Sequence, residues 1–206
     1  MTGFGNNKKS EKKIKKGVKT DNFKAQYINK AFLLHSQGNI LEAEKYYRYC
    51  IEQKINDYRI FSNYGLILKN KGKLREAEIL LKKTIQLNPN WSEAHNNMGT
   101  IQKDLGKLSE AELSLRKAIE LNPESANAYS NLGNVLRELK KFKDAEISLR
   151  KAIEIDPNSI IGYANLGNML KGMGRLKEAK KLLINGFLLE EMARKSLPRA
   201  ANLLVA

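Results

Sequence analysis

The sequence is short of the residues that would support chemistry of its own. It holds one cysteine, two histidines, one tryptophan and four prolines in 206 residues. A lone cysteine, Cys50, excludes an internal disulfide, and His35 and His95 stand far apart with no cysteine or histidine at metal-ligand spacing. No phosphate loop of the G-x-x-x-x-G-K type is present. These absences argue against an enzyme, a metal site or a bound cofactor. No run of 18 or more apolar residues occurs, which argues against a membrane span. The first 20 residues are rich in lysine but lack the apolar stretch of a secretory signal, so a cytoplasmic location is expected.

The few prolines are spaced. Pro89, Pro123 and Pro157 stand 34 residues apart, and that period runs through most of the chain. SEAHNNMGTIQKDLGKLSEAELSLRKAIELNPES (92–125) is followed at once by ANAYSNLGNVLRELKKFKDAEISLRKAIEIDPNS (126–159). The same register finds copies at 24–57, 58–91 and 160–193, so five repeats fill 170 of the 206 residues. Each repeat contains two helical patterns. In the fourth, Tyr129, Leu132, Gly133 and Leu136 recur at helical spacing, then Ala145, Leu149, Ala152, Ile153 and Ile155. Numbered within a repeat, position 8 is Ala31, Gly65, Gly99, Gly133 and Gly167. Position 20 is always alanine, and position 27 is Cys50, Thr84, Ala118, Ala152 and Gly186. Small side chains at these three positions let two helices approach closely, which assigns Cys50 to packing.

Position 15 is Gly38, Gly72, Gly106 and Gly174, where a left-handed residue ends the first helix; Lys140 is the exception. Ser109 with Glu112 reads as a capping box for the second helix of repeat three. The proline at position 32 ends each of the middle repeats, since its ring cannot continue a helix.

Period and punctuation resemble the tetratricopeptide repeat (TPR) family, whose skeleton reads W-x2-L-G-x2-Y, then A-x3-F, then P. The resemblance covers residues 23–193. It implies an all-α, right-handed superhelical solenoid of five helix-turn-helix repeats, in which each repeat packs on its neighbours. Repeat one, with Lys30 where leucine is usual and no terminal proline, suits an N-terminal cap.

Residues 1–22 are expected to be a disordered, Lys-rich arm, because they hold too few apolar residues to offset the entropy of ordering. Residues 1–20 carry seven lysines and one glutamate, +6 of the net +15. At the other end repeat five lacks its proline, so its second helix should be longer and stop before Pro198. Residues 194–206 then read as a capping segment that folds back over the last repeat. Two alternatives stand beside it: this end meets a partner subunit, or a following domain has been lost.

Positions 2, 5, 6, 9, 12 and 13 of each first helix fall opposite its core stripe. Position 6 is asparagine in all five copies: Asn29, Asn63, Asn97, Asn131 and Asn165. An amide donates and accepts, so such a column can hold the backbone of an extended peptide. It can equally bridge neighbouring helices. The wording YSNLGNVLRE is similar to the repeats of the O-linked N-acetylglucosamine transferase superhelix, and that resemblance implies the peptide-holding role. Position 12 is His35, Lys69, Lys103, Arg137 and Lys171, a basic stripe beside the asparagines. Position 5 is Ile28, Ser62, Asn96, Ser130 and Ala164, not the lysine of chaperone-binding TPR clamps.

Together these columns predict a non-catalytic protein-interaction scaffold that holds an extended, acidic peptide or protein segment in its concave groove. One alternative is a detached substrate-recognition arm of a transferase encoded elsewhere. A second is a basic RNA-binding helical repeat, favoured by charge but lacking an aromatic stacking platform. The outward lysines and arginines at positions 25 and 26 read as a solvated face, with Gln86, Glu120 and Glu154 set to pair with Lys83, Lys117 and Lys151.

Overall fold

A computed structural model describes the backbone of residues 24–203 and the side chains of residues 24–195. The arm expected over 1–22 lies outside the described residues, as do the side chains of most of the expected capping segment. Among the described residues every regular element is helical. The chain divides after Pro89 into two compact units.

The first unit holds α1 (24–36), α2 (Ile40–Glu52), α3 (Tyr58–Asn70) and α4 (Leu74–Leu87). Its centre is Tyr47, fully buried where repeats two to five carry leucine. Tyr64 stacks on it at 6.5 Å, and burial pushes the Tyr47 phenol up to about 12. Cys50 is wholly buried beside it, its thiol raised to about 11 by desolvation, as a packing cysteine should be. Lys30 is exposed, whereas Leu132 and Leu166 at the same repeat position are buried.

The second unit holds α5 (Ser92–Asp104), α6 (Leu108–Leu121), α7 (Ala126–Glu138), α8 (Phe142–Ile155), α9 (Ile160–Gly172) and α10 (Leu176–Leu203). Each antiparallel pair closes on its small residues: Ala111, Ala145, Ala118 and Ala152 are at most 1% exposed. A Cβ on Gly133 would come within 2.5 Å of Leu149 Cγ, so this crossing has no room for alanine. One core links the pairs, running from Ala111 and Leu115 through Leu132, Val135, Leu136 and Leu149 to Met169 and Leu170. Ala128 and Val135 are fully buried although they lie outside the expected apolar stripe. The stripe marks only contact with the helix of the same repeat, and these two residues face the preceding one.

The position-15 turns are as expected. Gly38, Gly72, Gly106 and Gly174 have φ between 74° and 78°, and Lys140 adopts the same region at 61°. At Gly106 its own N–H donates to Lys103 and the next N–H to Gln102; at Lys140 the pattern repeats toward Arg137 and Leu136. A lysine Cβ is strained there by about 1 kcal/mol. Lys140→Gly should raise stability by about that amount, measured as a higher midpoint in urea; an unchanged or lower midpoint would refute it. Lys54 (φ 55°) ends α2 in the same conformation, which the missing proline of repeat one did not disclose.

Two expectations are corrected. Ser109 does not cap α6: the helix begins at Leu108, the cap position is Lys107 without a side-chain bond, and Glu112 pairs elsewhere. Side-chain caps sit instead on first helices, where Asp57, Ser125 and Ser159 accept from Arg59, Ala128 and Gly162. The second correction concerns α10, which does not stop before Pro198 but runs to Leu203. A proline inside a helix forfeits one backbone hydrogen bond and crowds the carbonyl four residues earlier, at about 3 kcal/mol, which disfavours the helix there without forbidding it.

Candidate functional site

Within the second unit, α7 touches both α5 and α9, so the first helices of successive repeats lie side by side. This contact brings the position-6 asparagines of the unit onto neighbouring helices and ties two of them to the preceding repeat. Asn131 Nδ2 donates to Asn96 Oδ1 at 2.9 Å, and Asn165 Nδ2 donates to Ser130 Oγ at 3.0 Å. Both are bridges from position 6 to position 5 of the preceding repeat. Each uses a donor and leaves the Asn131 and Asn165 carbonyl oxygens available, so bridging and ligand holding are compatible on one amide. Asn97 Nδ2 and Asn134 Oδ1 are buried with no hydrogen-bond partner in the structure. An orphaned donor and an orphaned acceptor on adjacent helices each carry a desolvation penalty of roughly 1–3 kcal/mol until a partner arrives.

In the first unit Asn29 is exposed on α1, and Asn63 on α3 lies against the Tyr47 hydroxyl. His35 Nδ1 is 3.0 Å from that same hydroxyl, which ties the position-12 histidine into the core rather than into a basic stripe.

The basic columns separate by their partners. On the second helices, Arg48, Lys82, Arg116 and Arg150 bind Glu44, Glu78, Glu112 and Glu146 one turn earlier, at 2.7 to 3.2 Å. Lys83, Lys117 and Lys151 donate to Gln86, Glu120 and Glu154 as expected. Three of the position-21 glutamates also take a base from the next repeat: Glu44 from Lys71, Glu112 from Lys141 at 2.7 Å and Glu146 from Arg175 at 2.5 Å. The ammonium of Lys141 and then the Arg116 guanidinium hold the Glu112 carboxyl below its ordinary value; Arg175 and Arg150 do the same for Glu146, and Lys71 and Arg48 for Glu44. The sequence reading overlooked this ladder. Its i,i+4 half was legible, since glutamate stands at position 21 in four repeats with arginine or lysine four residues on. On the first helices the balance differs. Lys103 has only its neighbour Asp104, at 3.4 Å, while Arg137 and Lys171 make no ion pair among the described residues.

Four family models described as tetratricopeptide repeat or TPR repeat match this chain, at residues 58–90, 99–140, 126–159 and 148–181. The chain belongs to the tetratricopeptide repeat family. No curated protein sequence matches it. Among solved structures, a MamA crystal structure is 25% identical, with TM-score 0.69, over 80% of this chain and 96% of that one. MamA from Desulfovibrio magneticus RS-1 is 23% identical, with TM-score 0.72, over 82% and 96%. YrrB, described as a TPR protein with an unusual peptide-binding site, is 22% identical, with TM-score 0.64, over 82% and 90%. These likenesses show the TPR solenoid fold. Among the described residues of this TPR chain, no helix is long and apolar enough to cross a membrane.

Proposed function

We propose that this TPR chain is a non-catalytic, cytoplasmic interaction scaffold that holds an extended acidic peptide along its first helices. Asn97, Asn131 and Asn165 grip the peptide backbone, and Lys103, Arg137 and Lys171 attract its carboxylates; Asn29, Asn63 and Lys69 stand at the equivalent positions of the first unit. The observation that carries this reading is the contrast in pairing. Outer basic residues are neutralised by glutamates of their own chain, whereas Arg137 and Lys171 make no ion pair among the described residues and share their helices with amides that have acceptors to spare. That contrast also weighs against RNA, because the outer charges that would meet phosphates are already engaged.

The test uses two fluorescent 12-residue peptides, one alternating Glu with Ser and Ala, the other with Gln in place of Glu. Asn97→Ala with Asn131→Ala should weaken both. Lys103→Ala with Arg137→Ala should weaken the acidic peptide selectively, by on the order of tenfold at low salt, and flatten its salt dependence. Binding untouched by either pair, with circular dichroism unchanged, would remove this face from the mechanism.

A further inference from the structure

The last repeat departs from the others at the positions by which a second helix receives the next repeat. In the second unit α6 packs on α7 and α8 on α9. The receiving surface repeats: Leu108, Glu112, Arg116 and Ile119 on α6 correspond to Phe142, Glu146, Arg150 and Ile153 on α8. Ile119 and Ile153 pack against the core, and Glu112 and Glu146 clasp Lys141 and Arg175 of the incoming repeat. On α10 the same four positions are Leu176, Lys180, Ile184 and Phe187. The clasping acid has become a base, and its arginine partner has become apolar.

Nothing in the described chain covers this surface. Leu176, Ile184 and Phe187 are 62%, 47% and 61% exposed, and they line a cleft of about 500 Å³ with Lys171 and Lys180 at its edge. The four positions share a sector of about 80° on the helix. Leu188, exposed where repeats one to four carry Glu or Gln, widens the strip. Because α10 continues as a helix to Leu203, that segment does not fold back over its own face.

The chain itself shows what kind of object fits. Ile153 meets Gly162 of the next first helix, where a Cβ would lie 3.1 Å from Ile153 Cγ1. Phe187 is larger than the isoleucine it replaces, so the guest must offer a small residue there. Charge then selects among guests. A second copy docking head to tail would present the outward face of α1, with Gln26, Lys30 and Leu33, where Ala128, Leu132 and Val135 of α7 are apolar. That brings Lys30 toward a lysine-edged cleft. A second copy docking through the same face sets Lys180 against itself, and the seven lysines of residues 1–20 are repelled alike.

We infer that the exposed face of α10 is a second docking site, which receives an amphipathic helix of another protein carrying a small residue over Phe187 and an acidic residue against Lys180. It shares Lys171 with the proposed peptide-holding face but rests on Leu176, Lys180, Ile184 and Phe187. The probe is a labelled peptide of residues 126–141, the segment that α6 receives in this chain, made once with Lys141 and once with Lys141→Glu. The full-length protein should bind the Glu form tighter by on the order of tenfold. Lys180→Glu should reverse that preference. Ile184→Asp with Phe187→Asp should abolish binding of both forms while the circular dichroism spectrum stays unchanged, since both side chains are exposed. Asn97→Ala with Asn131→Ala should leave it intact. Absence of binding at millimolar peptide, equal affinity for the two forms, or insensitivity to Lys180 would overturn the inference. So would a concentration-dependent dimer in sedimentation that is lost with Phe187→Asp, because a second copy would then be the occupant.

Discussion

Replacing Gly133 with alanine should destabilise the protein by about 1–3 kcal/mol, whereas the same change at Gly65 should be neutral or stabilising by up to about 1 kcal/mol. Both glycines occupy position 8 of a first helix, and both substitutions raise helix propensity. What separates them is the space at the crossing. At Gly133 the new Cβ would lie 2.5 Å from Leu149 Cγ and 3.2 Å from the Ala145 carbonyl. Cγ is the branch point of leucine, so relief requires a rotamer change in a fully buried side chain or separation of α7 from α8. At Gly65 the nearest atoms are 3.5 Å away or more, ordinary contact. Ala145→Leu tests the same crossing from the other helix and should cost about 1–3 kcal/mol, since Ala145 has no exposed surface. Urea titration of the three variants decides it. Equal behaviour of Gly65→Ala and Gly133→Ala would show that the crossing does not limit position 8. Because the core is shared between repeats, damage at Gly133 should also reach probes placed on α9.

Acid should dissolve the glutamate ladder. Glu44, Glu112 and Glu146 each have a carboxyl held below the ordinary value of 4.5 by a base from a turn of the next repeat and by one four residues on in the same helix. For a depressed carboxyl the stabilisation is fully present above the unfolded value and is lost as pH falls through the folded one. Stability should therefore be flat above about pH 5 and decline below about 4.5. Lys141 and Arg116 are about half exposed, so each pair contributes at most roughly 1 kcal/mol, but the pairs act together across repeats. The net charge of +15 adds to the decline, since every protonated carboxyl increases self-repulsion. Glu112→Gln should lower stability at pH 6 and give a shallower loss between pH 6 and 3. Glu52→Gln, which removes the same charge from an exposed site at the end of α2, serves as the control. Identical slopes for Glu112→Gln and wild type would mean that the ladder does not contribute.

What the sequence determined by itself is whatever depends on neighbours within one repeat. The 34-residue period, the two helices per repeat, the small residues at their crossing and the left-handed glycine turns at position 15 follow from local spacing and from the steric demands of a single Cβ. The i,i+3 pairs of Lys117 and Lys151 belong to the same class. Tertiary structure alone decided what depends on the next repeat, because a period reports which residues recur and not which recurring residues meet. Glu112 reads locally as a helix cap, yet it reaches Lys141 some 29 positions away. Asn131 reads as a ligand amide, yet one of its two N–H donors is spent on Asn96 while its acceptor stays open. Arg116 and Arg137 look alike as basic residues of a repeat. Packing gives the first a carboxylate of its own helix and, among the described residues, leaves the second without an ion pair.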